Sequence, residues 1–110
     1  MRWEDVCAHA PRAMSSEVRE RWATDGYLAF PALIDEATLA ALTDALRAII
    51  ERSRTMTEST HFIDLDAGHT ATAPRLRRAA CLDDVDEVFW DFCSDSVLVD
   101  IAADILGPTI

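Results

Sequence analysis

A mainly α-helical fold with one or two short strands is predicted by three features of this sequence. Leu39, Leu42, Leu46 and Ile49 recur at three- and four-residue steps, and Val97, Leu98, Ile101, Ala102 and Ile105 keep the same period near the other end. Helix-capping side chains stand ahead of these stripes, and Asp25-Gly26 and Gly107-Pro108 supply the stop signals. Only two short runs, residues 27–30 and 61–66, read as strands.

Taken in order, residues 1–14 show no clear period and contain Pro11, so they read as an N-terminal extension. Residues 15–110 then form one helical segment. Ser16 can cap the first helix, where Glu17 and Glu20 meet the positive end of the helix dipole. Val18 and Trp22 share a face, and Glu17 is spaced to pair with Arg21. Residues 27–30 form a short apolar run closed by Pro31. Asp35 caps the next helix, whose leucines oppose Thr43, Asp44, Arg47 and Glu51. Residues 52–60 are polar and loop-like, residues 61–66 suit a strand ended by Ala67-Gly68, and residues 69–74 are again a loop. Val85, Val88, Phe89 and Phe92 make one helical stripe that starts from an aspartate cap. The last stripe, from Val97, is capped by Ser94 or Asp95.

With 110 residues the chain has room for one ordinary domain, and with half of them hydrophobic it is no disordered acidic tail. Ten arginines and no lysine against twenty acidic residues give a net charge of −10, the wrong sign for a phosphate-binding face, so nucleic acid is excluded. The apolar runs are too short to span a membrane. The charged N-terminus lacks the apolar stretch of a signal peptide. The expectation is a soluble cytoplasmic protein. Cys7, Cys81 and Cys93 are odd in number and form no C-x-x-C pair, as suits reduced, inert thiols.

Three constellations could carry chemistry. His61, Asp64, Asp66 and His69 put two imidazoles and two carboxylates within nine positions, enough donors for a divalent metal. On a strand, however, His61 points away from Asp64 and Asp66, and a His-x-Asp pair on one face would need an acid where Ile63 stands. The bland reading is a solvated strand-to-loop edge. Arg75, Arg77 and Arg78, the one basic cluster, suit an anion, or else pair with the acidic helix downstream. Trp22, Phe89, Trp90 and Phe92 sit at helical spacings that fit a core better than a cofactor box. There is no Gly-rich phosphate loop and no G-x-S-x-G, so no active site can be assembled from these residues.

Residues 16–44 nevertheless resemble the opening of the phytanoyl-CoA dioxygenase family: a short helix, the Asp25-Gly26-Tyr27 turn, a Pro31-Ala32-Leu33-Ile34-Asp35 step and a helix rich in Leu and Ala over residues 37–50. Asp86-Glu87-Val88-Phe89-Trp90-Asp91-Phe92 and residues 95–108, ending in Leu106-Gly107-Pro108, are similar to the helix pair that precedes the family's catalytic barrel. The resemblance implies the N-terminal helical part of a double-stranded β-helix (jelly-roll) oxygenase that uses Fe(II) and 2-oxoglutarate. In that family a His-x-Asp…His triad holds the iron and a distal Arg holds 2-oxoglutarate, both beyond the "LG-P" helix. No residue here matches those ligands, so no catalytic, cofactor-binding or metal-binding residue is assigned, and no cofactor is expected on this chain alone. A jelly roll needs roughly 80–100 residues, so the barrel is taken to be absent and the chain inactive by itself. The alternative is a small acidic helical protein-interaction domain without catalysis. Under either reading Leu39, Leu42 and Leu46, and Val97, Ile101 and Ile105, are faces without cover, from which self-association is expected. A metal module built on His61, Asp64 and His69 ranks last.

Overall fold

The computed structural model describes residues 2–109 and contains six helices and two strands among them. The mainly helical architecture matches the sequence expectation, and no barrel is present in the described residues. The chain forms two compact units, one made of Met1–Leu33 and Cys93–Ile110, the other of Ile34–Phe92.

The first unit holds α1 (Trp3–Cys7), α2 (Ser16–Asp25) and α6 (Val97–Leu106), with both α1 and α2 against α6. Within the stretch read as an extension, residues 3–7 are helical and two side chains are buried. These are Val6 and Met14, which lie with Ile101 and Ala103 in the core of this unit. A helix of five residues is barely longer than one turn, too short to leave a period in the sequence. Ser15 rather than Ser16 caps α2, its Oγ accepting the Val18 N–H at 3.2 Å. Arg21 pairs with Asp25 at 3.9 Å, one turn on, instead of with Glu17. Gly26 closes α2 at φ 76°, and its N–H reaches the Trp22 carbonyl at 2.9 Å. That left-handed geometry is why glycine stands there. Residues 27–30 take no regular secondary structure and pair with no strand, so the first expected strand is absent. Ser96 caps α6 through the Leu98 N–H at 3.2 Å, rather than the expected Ser94 or Asp95. Gly107 ends α6, donating to the Ala103 carbonyl at 2.9 Å.

The second unit opens with α3 (Glu36–Ser53), capped as expected by Asp35, whose carboxylate accepts the Thr38 N–H at 2.7 Å. This contact holds the Asp35 carboxyl below its usual range. The helix runs on to Ser53, which is fully buried and donates its hydroxyl to the Ile50 carbonyl at 2.7 Å. β1 (Ile63–Leu65) and β2 (Leu76–Ala79) form an antiparallel hairpin. Asp64 faces Arg78 while Leu65 faces Leu76, so Arg77 is the extra residue of a β-bulge. The stripe from Val85 to Phe92 is not one helix. α4 (Leu82–Val85) stops at Asp86, an extended residue at φ −152°, and α5 (Glu87–Ser94) starts beyond it. The Asp86 carboxylate accepts the Val88 N–H at 3.1 Å, a local bond that competes with helix continuation. Among the described residues no helix is long and apolar enough to cross a membrane.

Candidate functional site

The His/Asp cluster and the arginines fall together on the hairpin, but the structure spends their polar atoms on one another. Asp64 Oδ2 accepts from Arg77 Nε at 3.1 Å and Nη2 at 2.8 Å, and Oδ1 accepts from Ser59 Oγ at 3.2 Å. The bulge places Arg77 for this contact, and its hydrogen bonds, aided by its charge, hold the Asp64 carboxyl below the ordinary range. Asp66 Oδ1 accepts the Gly68 N–H at 2.9 Å and lies 3.9 Å from Arg75 Nη1. A methyl group on Gly68 would come within 2.9 Å of that guanidinium, so this turn leaves no room for a side chain unless Arg75 moves.

His69 is committed at both ring nitrogens. The Arg75 N–H donates to Nδ1 at 3.0 Å, which requires Nδ1 to be unprotonated. Nε2 therefore carries the hydrogen and donates to the Ser53 carbonyl at 3.0 Å. Arg54 makes a second tie, from Nη1 to the Ala71 carbonyl at 2.9 Å, while its Nε and Nη2 grip Glu51. That grip holds the Glu51 carboxyl down. Together His69 and Arg54 bind the hairpin loop to the end of α3, around a cavity of about 480 Å³ lined by Met56, Ser59, Leu65 and Asp66 among others. His61 takes no part. Its ring stacks edge-on against Phe62, 5.2 Å away.

No group of three His, Cys, Asp or Glu among the described residues is placed to hold a metal ion. The donor chemistry agrees: His69 has no lone pair to offer, and Asp64 is engaged by Arg77 and Ser59. An iron centre does not fit these residues. The arginines, for their part, do not pair with the downstream acidic helix. Arg77 and Arg75 turn back to Asp64 and Asp66, and Arg78 stays exposed.

A second polar centre, missed in the sequence, organises the first unit. Asp104 is 2% exposed, and its carboxylate accepts three consecutive backbone N–H groups: Arg12 at 2.6 Å, Ala13 at 2.9 Å and Met14 at 2.9 Å. Burial pushes its carboxyl up, but the three N–H donors and the nearby Arg19 charge outweigh it and hold it below the usual range. Arg19 is buried too, donating from Nη2 to the Cys7 carbonyl at 3.2 Å and the His9 carbonyl at 2.9 Å. The signal was present in the sequence, since Val97, Ile101 and Asp104 share helical spacing and an acid within an apolar stripe needs a partner.

The remaining feature is apolar. Leu39, Leu42 and Leu46 of α3 face Leu82, Phe89 and Phe92 across a trough of about 310 Å³, with Thr43 its only polar liner. Leu39 is 55% and Leu46 41% exposed, as expected for a face without cover. Ile101 of the other stripe is instead buried within its own unit. Trp90, expected in a core, is 54% exposed, while Trp22, Phe89 and Phe92 are half-buried. Cys7, Cys81 and Cys93 are free and exposed. Compared with family models, curated proteins and solved structures, the chain matches none.

Proposed function

We propose that this chain is the N-terminal scaffold of a phytanoyl-CoA dioxygenase-like hydroxylase, a cytoplasmic Fe(II)- and 2-oxoglutarate-dependent oxygenase whose iron ligands lie outside these residues. The observation that carries this reading is the order of elements. A short helix ends at the left-handed Gly26, the Pro31–Asp35 step caps a long amphipathic helix, and a helix pair ends at Leu106-Gly107-Pro108. In this reading the helices pack outside the barrel and the reaction, hydroxylation of an unactivated C–H bond, belongs wholly to the barrel. The chain contains no His-x-Asp, so it forms no succinate by itself. Reading the coding DNA in frame past Ile110 tests the assignment. A His-x-Asp followed by a distal His and an Arg is the expected result, and a stop codon in their place overturns it. Stoichiometric succinate from the isolated 110 residues with Fe(II) and 2-oxoglutarate would overturn the inactive-scaffold part.

A second reading, an acidic helical interaction domain without catalysis, is favoured by one observation. In the second unit Ile49 and Ser53 are the only buried residues, and the trough between α3 and α5 stays open. An apolar face of this kind marks a docking surface.

A further inference from the structure

The trough has a charged setting that its apolar lining does not explain. Between Ala80 and Phe92 every charged residue is acidic: Asp83, Asp84, Asp86, Glu87 and Asp91. All five are exposed, as is Glu36, one turn before Leu39 at the start of α3. None of the six takes part in an ion pair among the described residues, although arginines elsewhere pair with Asp25, Asp44, Glu51, Asp64, Asp66 and Asp100. Like charges crowded on α4 and α5 repel one another, a standing cost that an incoming cation relieves. The lining residues Leu39, Leu82 and Phe89 stand within three positions of Glu36, Asp83, Asp84 and Glu87 in the sequence, so an apolar floor comes with unneutralised carboxylates on the same elements, a combination complementary to a segment that is both apolar and basic.

Resting on the interaction reading above, we propose that the trough of the second unit binds a cationic amphipathic helix of a partner protein. Leu39, Leu42 and Leu46 span two turns of α3, or about 10 Å of rise, matching the length over which such a helix presents anchors at i, i+3 or i+4, and i+7. The anchors fill the space between the leucines and Phe89 and Phe92. Lysines or arginines flanking them meet Glu36, Asp83, Asp84 and Glu87. A second copy of this chain is a poorer occupant, because two bodies of charge −10 repel. An anionic lipid surface is repelled by the same carboxylates.

The test uses the intact chain and three labelled synthetic peptides with one shared leucine stripe, whose remaining positions are lysine, glutamine or glutamate. Fluorescence anisotropy is expected to show the lysine peptide binding about tenfold more tightly than the glutamine peptide at low salt, an advantage lost as screening rises. The triple variant Asp83→Asn, Asp84→Asn, Glu87→Gln changes only exposed side chains and should erase that advantage while leaving the circular dichroism spectrum intact. Leu42→Gln should abolish binding of both peptides. Equal binding of the lysine and glutamine peptides overturns the charge recognition proposed here yet leaves the interaction reading standing. A dimer in sedimentation equilibrium that shuts the peptides out overturns the cationic-helix occupant and leaves the interaction reading standing, whereas failure of every peptide to bind a monomeric chain overturns both.

Discussion

Replacing Asp104 by Asn alters one terminal atom of a side chain, yet it turns an acceptor of three backbone N–H groups into a group that must present a donor to one of them. Buried donors left without acceptors cost about 1–3 kcal/mol each, so Asp104→Asn should lower the unfolding free energy by on the order of 3 kcal/mol in urea titrations. A loss below about 0.5 kcal/mol would show that the loop at Arg12–Met14 finds water instead. The same carboxylate sets a pH dependence. Its folded-state value lies below the unfolded one near 3.9, so its contribution is full above that pH and is lost as pH falls through the folded value. Wild type should therefore shed more stability than Asp104→Asn between about pH 5 and pH 2. His69 works by a different logic, joining the hairpin loop to α3 through one accepted and one donated bond. His69→Ala should speed amide exchange at Arg75 while leaving that of α3 upstream of Ser53 nearly unchanged, as hydrogen-exchange mass spectrometry would show. Slowed or unaltered exchange at Arg75 would mean the loop is held by Arg54 alone.

Among the elements, the legibility of the sequence followed length and stop chemistry. α3 was readable because its four leucine and isoleucine positions outlast any accident of composition and because Asp35 marks its start. α6 was readable to within two residues for the same reasons. The break at Asp86 was not, since Val85 and Val88 keep helical spacing across it and only the local bond to the Val88 N–H interrupts the ladder. α1 left no period, and β2 was hidden because Arg77 and Arg78 mask the alternation that a strand would show. The bulge that aims Arg77 at Asp64 is a matter of register, which no local pattern encodes. Two caps make quantitative tests. Ser15→Ala should cost about 1 kcal/mol, the ordinary worth of an N-cap hydroxyl. Gly26→Ala should cost about 1 kcal/mol purely through its left-handed backbone, because an added Cβ there meets nothing within 4 Å. If Gly26→Asn, which tolerates that backbone region better, costs as much as Gly26→Ala, the strain argument fails.

At the scale of the whole molecule, the two units differ in how they are held. The first closes over a charged centre: Asp104 ties residues 12–14 to α6, and Arg19 ties the end of α1 to α2. Arg12 adds two outer contacts, to Asp100 at 3.7 Å and to the Pro108 carbonyl at 3.4 Å. Removing residues 2–14 would delete the buried Val6 and Met14 and strand Asp104 as a buried carboxylate without donors. A fall in Tm of on the order of 10 °C is expected, together with faster amide exchange throughout α6. A truncated chain that melts within 2–3 °C of the intact one, on the order of the effect of a fraction of a kcal/mol, would show that the segment is dispensable after all. The second unit has no comparable centre, and its longest helix keeps most of one face open to solvent.

The chain that closes the first unit begins at residue 93, so its N-terminal half waits for its C-terminal half. On a ribosome the Arg12–Met14 amides are made some ninety residues before the carboxylate that will receive them. At about 5–20 residues per second that is roughly 5–18 s during which Val6 and Met14 have no core to enter. That stretch of nascent chain is thus a window for chaperones and proteases that shuts only when α6 emerges. Slowing translation between codons 15 and 104 should lengthen that window and lower the yield of folded protein without changing a single residue.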